Sequence, residues 1–287
     1  MSISPSTSTP ASTASGGSAS ACERITVPQL RARKGKSEKI VMVTAYDAPT
    51  ASVVDEAGVD VVLVGDSLGN VIQGRPDTLG VTMDEMIYHT TMVSRAVRRA
   101  AVVADMPFMS YQASTADALR NAGRFLKETG AAAVKLEVNE HQLDTVRALV
   151  GSGIPVMGHI GLCPQSIHLM GGYRVQGRTE EDAGRLTALA EAIEQAGAFS
   201  LVLESIPRAL AAQITAAVGI PTIGIGAGPD CDGQVLVLHD LVGLTAGPVP
   251  RFVKRYADVR KLILEAVEQY ACEVREGRFP GPENCYD

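Results

Sequence analysis

From Lys39 onward the chain alternates between two patterns. Short apolar runs, none longer than eight residues, are rich in Val, Ile or Leu: Ile40–Ala45, Val61–Asp66, Ala101–Pro107, Ala132–Glu137, Pro155–Gly161, Ser200–Glu204, Pro221–Gly228 and Val235–Asp240. Runs this short, apolar at nearly every position, suit strands of a parallel sheet buried on both faces. Between them lie longer amphipathic stretches with helical spacing. Thr179–Gly197 is the clearest, opening on Thr-Glu-Glu and closing on glycine, which are helix start and stop signals. Glu56-Ala57-Gly58, Glu128-Thr129-Gly130 and Ala217-Val218-Gly219 also put glycine where a helix end favours a left-handed residue. Arg251–Tyr256 and Lys261–Glu276 predict terminal helices outside the repeat.

Strand and helix alternating eight times predict a closed (β/α)8 barrel, a TIM barrel, as one domain over residues 23–287 with extra C-terminal helices. The rival is a doubly wound open sheet, but no GxGxxG follows the first strand. A chain of 287 residues, 46% hydrophobic, is the right size for one barrel core. Residues 1–22 are a low-complexity Ser/Thr/Ala/Gly stretch. They predict a disordered tail, and they lack both the apolar block of a secretory signal and the arginines of a transit peptide.

Charge and cysteine usage narrow the function classes. The net charge of −6 offers no basic footprint for nucleic acid, and no apolar run approaches the ~20 residues of a membrane span. The cysteines, Cys22, Cys163, Cys231, Cys272 and Cys285, are odd in number and form no CxxC pair. That argues against a disulfide framework or structural zinc and for a reducing, cytoplasmic location.

The strand ends carry the candidate chemistry. Strand one runs into Tyr46-Asp47, and strands two, three and four end at Asp66, Asp105 and Glu137. Strand five carries His159, strand six ends at Glu204, and strand eight at His239-Asp240. In a barrel these ends converge on one face, where catalytic groups sit. Asp66, Asp105 and Glu137 come from successive strands about 4.8 Å apart, so they repel unless a positive charge lies among them. Two candidates are a hard divalent cation such as Mg2+, which prefers oxygen ligands, and Lys135, which shares a face with Glu137. The bland alternative is that each acid caps a helix or accepts from a loop amide. Inside a barrel, Lys135 is either a Schiff-base nucleophile or a charge partner, and neighbouring acids favour the partner. His159 could be a satisfied core residue or an accessory to catalysis. Glu204, beside apolar walls, suits a general base.

These strings closely resemble ketopantoate hydroxymethyltransferases. The likeness runs from residue 24 to 283. It is carried by Thr44-Ala45-Tyr46-Asp47, Val64-Gly65-Asp66-Ser67-Leu68-Gly69, Ala104-Asp105-Met106-Pro107-Phe108, Val134-Lys135-Leu136-Glu137, Gly158-His159-Ile160-Gly161-Leu162 and Pro164-Gln165-Ser166. It continues through Gly171–Arg178, Gly224–Gly228, Asp232–Val237 and Phe252–Ala257. The resemblance implies a metal-dependent barrel of the phosphoenolpyruvate/pyruvate type, assembled as a homodecamer. It would move a one-carbon unit from 5,10-methylenetetrahydrofolate to 3-methyl-2-oxobutanoate, giving ketopantoate on the way to pantothenate. It further implies Asp66 and Asp105 as Mg2+ ligands that also meet the substrate, Glu137 by the metal, Ser67 and Lys135 on the keto acid's carboxylate, and Glu204 as the base.

Four places depart from that pattern: Val138-Asn139 for two glycines, Arg75-Pro76-Asp77-Thr78 for an aromatic or His followed by Asp-Ser-Thr, Cys163 for Thr, and Asn284-Cys285-Tyr286 for His-Ser-Phe. They motivate two alternatives: the same aldol-type step on another 2-oxo acid, or a metal-dependent lyase of the same barrel type. A barrel retained only as an assembly protein would be expected to have lost its acids, and here all four remain.

Overall fold

The computed structural model describes residues 24–247 and 249–286; the tail over residues 1–22 lies outside them. Eight parallel strands follow one another around a closed barrel. They are β1 (Ile40–Thr44), β2 (Val61–Val64), β3 (Ala101–Asp105), β4 (Ala133–Glu137), β5 (Val156–Gly161), β6 (Ser200–Glu204), β7 (Thr222–Ile225) and β8 (Gly233–Leu236), with β8 pairing back to β1.

Strand side chains alternate between inside and outside, and this divides the core in two. Ile40, Met42, Val61, Leu63, Ala101, Val103, Ala133, Met157, Val202, Ile223 and Val235 form one cluster. Leu30, from a short helix at Val27–Arg31 that the sequence reading did not foresee, joins them from the amino-terminal end of the barrel. The alternate residues, such as Val62, Val64, Val102, Val134 and Leu201, pack in a second cluster with helix residues such as Val93, Phe125, Leu149 and Ile193. Continuing the inner register two residues upward replaces apolar by polar side chains: Val103 gives way to Asp105, Ala133 to Lys135 and Glu137, Met157 to His159, Val202 to Glu204. The functional face is thus the upper layer of the barrel interior.

The helical expectation holds best at Thr179–Gly197. The helix spans Glu180–Gln195, the Thr179 side chain accepts from Asp182 N, and Gly197 closes it at φ +100°. Gly58 and Gly130 likewise take left-handed backbone. Gly219 does not: the helix Arg208–Ala217 ends because Val218 turns extended, and Gly219 N donates to Glu194 Oε1 (2.8 Å).

Four expectations need correction. No helix intervenes between β7 and β8. Strand eight stops at Leu236 rather than at Asp240, and His239 and Asp240 stand on a helical turn, Leu238–Leu241. There the Leu238 amide donates to Thr44 Oγ1 (3.0 Å) instead of extending the ladder. Arg251–Tyr256 forms no helix: after a turn at Pro250 the segment runs as coil, and the Tyr256 amide bonds back to Leu241 O (2.8 Å). The last helix, Val259–Arg275, begins two residues earlier than predicted because Asp258 caps it through Lys261 N. It buries none of its residues; Ile263, Val267, Tyr270 and Val274 form an exposed apolar stripe. Val41 of β1, paired in register with Gln234 of β8, is also exposed on the outer wall.

Candidate active site

The cavity at the carboxyl end of the barrel measures about 490 Å3 and is lined by residues from all eight strands or the loops after them. Register brings the polar groups together. Asp105 pairs with Lys135 across β3 and β4, and Glu137 pairs with His159 across β4 and β5. His159 pairs with Val202, so Glu204, two residues on, shares its face.

On one wall, Lys135 Nζ donates to Asp105 Oδ1 at 2.5 Å, and the Asp66 amide donates to Asp105 Oδ2 at 3.2 Å. All three side chains are buried. Burial and the Asp105 charge push Asp66 up to about 7, since its charged form is desolvated beside a like charge. Burial, then the Asp66 charge, pushes Glu137 well above the usual carboxylate range. Burial alone would lower Lys135, but Asp105 and Asp66 outweigh it and hold the ammonium protonated. Lys135 is therefore a charge partner and not a free amine nucleophile.

Gln165, which pattern reasoning passed over, ties this wall together. Its Nε2 donates to Asp66 Oδ2 and to Met106 O, both at 2.9 Å, and its amide donates to Glu137 Oε1 at 3.1 Å. Its Oε1 accepts from the Tyr111 hydroxyl (2.9 Å) and from Gln112 Nε2 (3.0 Å). A buried amide that donates to one acid and presents its backbone to another fixes both. Its only sequence signal was the Pro164-Gln165-Ser166 string. Ser67 Oγ lies 2.8 Å from the Tyr46 hydroxyl. Gly65 leaves room beside them, because a Cβ there would sit 2.7 Å from Ser67 Oγ and 3.5 Å from Asp105 Oδ2.

On the opposite wall, His159 Nε2 lies 3.2 Å from Glu204 Oε2, although the pair does not meet hydrogen-bond geometry. Burial, then the Lys135 charge, lowers His159, so the ring is neutral near pH 7. Ser205 follows with left-handed backbone at φ +48°, an uncommon conformation for a residue with a side chain. It turns the chain sharply just after Glu204. Asp47 takes the structural role instead: it caps the helix Ala48–Glu56 through Thr50 N. Among the described residues, no group of three or more His, Cys, Asp or Glu side chains is spaced to hold a metal ion, so the predicted trio Asp66, Asp105 and Glu137 does not stand preassembled as a ligand set.

Residues 24–282 match the sequence profile of ketopantoate hydroxymethyltransferases. The chain belongs to the ketopantoate hydroxymethyltransferase family. It is 56% identical over 263 residues to 3-methyl-2-oxobutanoate hydroxymethyltransferase of Moorella thermoacetica, covering 92% of this chain and 98% of that one. With the enzyme of the same name from Geobacter metallireducens it shares 57% over 255 residues, 89% of this chain and 96% of the other. Solved structures with the same fold include 2,3-dimethylmalate lyase, a PEP mutase/isocitrate lyase superfamily member, at TM-score 0.58 and 19% identity over 91% of each chain. A phosphonopyruvate hydrolase in complex with oxalate and Mg2+ gives TM-score 0.60 at 13% identity over 91% of this chain and 92% of that one.

Against the family pattern, the four departures fall in different places. Of Arg75-Pro76-Asp77-Thr78, only Thr78 lines the main cavity, and there the family pattern also has Thr. Val138, Asn139 and Cys163 line a second cavity of about 550 Å3, outside the barrel mouth between the β3, β4 and β5 loops. Asn284, Cys285 and Tyr286 lie exposed beyond the last helix. None of the residues that depart from the family pattern lines the main cavity.

Proposed function

We propose that this family member transfers a hydroxymethyl group from 5,10-methylenetetrahydrofolate to 3-methyl-2-oxobutanoate, forming ketopantoate for pantothenate synthesis, and that it needs a divalent cation. The observation that carries this is one cavity with an Asp66–Asp105–Lys135 wall facing a Glu204–His159 wall. The first suits an anionic keto acid and a cation, the second a proton transfer.

The residues fit Mg2+. Three buried carboxylates against one lysine leave excess negative charge, their oxygens are hard donors, and burial keeps the neighbouring Cys163 thiol protonated. Asp66 and Asp105 would hold the ion, with Glu137 beside them; a site with few protein ligands suits an ion that keeps several waters. The oxalate and Mg2+ of the phosphonopyruvate hydrolase lend support from a protein of the same fold. When bound, the ion supplies Lewis-acid polarisation of the keto group.

The remaining work falls to side chains. Lys135 and Ser67 hold the substrate carboxylate. Glu204 takes the proton from C3, whose acidity the polarised keto group raises. His159, buried beside Glu204, packs against its carboxylate. Water releases the methylene carbon from the donor's two nitrogens as formaldehyde, the C3 carbanion adds to that carbon, and Glu204 returns its proton to the new alkoxide to leave the hydroxymethyl group. The exposed stripe on the last helix and the exposed Val41 support a homo-oligomer, a decamer by resemblance, in which a second copy covers them. The free cysteines among the described residues, Cys163, Cys231, Cys272 and Cys285, accord with a cytoplasmic enzyme.

The test is ketopantoate formation by the purified chain with both substrates and Mg2+, with and without EDTA. Turnover lost on chelation is expected; turnover that survives chelation would refute the metal, and none at all would refute the reaction.

A further inference from the structure

The keto acid has five carbons, yet the cavity of about 490 Å3 falls in the range of about 300–1,000 Å3 typical of much larger ligands. The acids and Lys135 occupy the β2–β4 side. The β7–β8 side is different: Ile225, Val237 and Phe252 give it apolar walls, and Asp240 also lines it. Gly226 makes room for the Phe252 ring, because at φ +63° a Cβ there would lie 2.6 Å from Phe252 Cδ1. This contact gives the non-helical Arg251–Tyr256 segment a purpose: it brings an aromatic side chain to the cavity.

Asp240 is anchored through one oxygen. Thr245 Oγ1 donates to its Oδ1 at 2.6 Å, and among the described residues no hydrogen bond reaches Oδ2. Such a carboxylate, fixed in orientation and half satisfied, suits a ligand with two adjacent N–H donors. Arg174 and Arg251 also line the cavity, exposed and outside any ion pair among the described residues.

We propose that the β7–β8 side of the cavity is the subsite for the one-carbon donor's pterin ring, with Asp240 accepting from its 2-amino and N3–H groups and Phe252 against one ring face. The proposal rests on the reduced-folate donor proposed above. A pterin is flat, apolar on both faces, and presents those two donors side by side along one edge. Arg174 and Arg251 are placed to meet the anionic glutamyl end. The donor's methylene carbon then approaches the keto acid from the side opposite the Asp66–Asp105 wall, leaving that wall to the keto acid.

The experiment is calorimetric titration of the full-length protein, with Mg2+ and 3-methyl-2-oxobutanoate present, using tetrahydrofolate and its 2-desamino counterpart. The wild type is expected to bind the 2-desamino ligand about tenfold to a hundredfold more weakly, the usual cost of a lost hydrogen bond to a charged group. In Asp240→Asn, tetrahydrofolate should weaken to a similar extent and the difference between the two ligands should collapse. Equal affinity of the wild type for both ligands, or full discrimination retained in Asp240→Asn, overturns the subsite; the wild-type comparison decides even if the variant does not fold. Donor-independent deuterium exchange at C3 of the keto acid separates the two failures. If exchange runs but tetrahydrofolate does not bind and 5,10-methylenetetrahydrofolate supports no turnover, the donor reading falls and takes the subsite with it. If tetrahydrofolate binds no better than its 2-desamino counterpart while 5,10-methylenetetrahydrofolate supports turnover, the subsite alone falls.

Discussion

The two ends of the barrel both bury aspartates and treat them in opposite ways. At the amino-terminal end, Asp55 accepts from the amides of Arg98, Arg99 and Ala100, and Asp232 from those of Gly35 and Thr222 and from Lys34 Nζ. Burial would raise both carboxyls, yet these donors hold them below the ordinary value. At the carboxyl end, Asp66 and Glu137 lie deeper in the protein, receive few donors and face one another, so they are raised. The difference lies in depth and in the supply of donors together. The lower acids are satisfied and hold the fold; the upper ones are left short of positive charge, which makes them sites for something else.

That contrast can be broken at either end. The largest effect is expected in the cavity: Glu204→Gln should lower kcat by about 10²–10⁴, the usual share of general-base catalysis, without moving the melting temperature. Steady-state kinetics beside a thermal melt would show it, and unchanged turnover would remove Glu204 as the base. At the lower end, Asp55→Ala should cost roughly 2–3 kcal/mol of stability, since three amides lose their acceptor, while kcat per folded molecule stays intact; denaturant titration measures the first and activity the second.

The pH dependence of the metal-free protein sharpens the comparison further. Asp66 is raised to about 7 in the folded chain, so between its ordinary value of about 3.9 and pH 7 the folded state binds more protons than the unfolded state. Its stabilising share is complete below that window and lost as pH rises through it. In EDTA, the protein should therefore be less stable at pH 8 than at pH 5.5, by on the order of 1 kcal/mol. Asp66→Asn should flatten that slope, and added Mg2+ should restore stability at pH 8 more than at pH 5.5. A wild-type slope of opposite sign would contradict the raised carboxyl. The smallest effect concerns the departures: replacing Val138-Asn139 by two glycines should change the KM for the keto acid by less than about twofold, because both residues line the second cavity.

Much of the barrel was legible in the sequence because buried parallel strands need apolar residues at nearly every position, a pattern that turns and helices interrupt cleanly. The polar residues ending those runs marked the site for the same reason: in an apolar strand, Asp105 or Glu204 has no structural cause. What escaped had no such contrast. Gln165 is an ordinary loop residue until the fold brings Asp66, Glu137 and Tyr111 around it. The His239-Asp240 pair looked like a strand end because Val235–Val237 is apolar, but Thr44 captures the next amide and bends the chain into a helical turn. Arg251–Tyr256 resembled a helix by composition, and its amide went to Leu241 instead.

Among the described residues, the seventeen-residue helix Val259–Arg275 buries none of its side chains and is held mainly at its first turn, where the Val259 and Arg260 amides donate to Val242 O and Gly243 O, and by Tyr270 against the Phe279 ring. Alone in water, a helix of this length is barely favoured, since most helical stability comes from packing an apolar face. Its backbone amides therefore report on association: in dilute protein they should exchange with solvent nearly as fast as those of a free peptide, and slow as concentration rises. Hydrogen exchange confined to these residues would follow the joining of subunits while the barrel amides stay protected throughout.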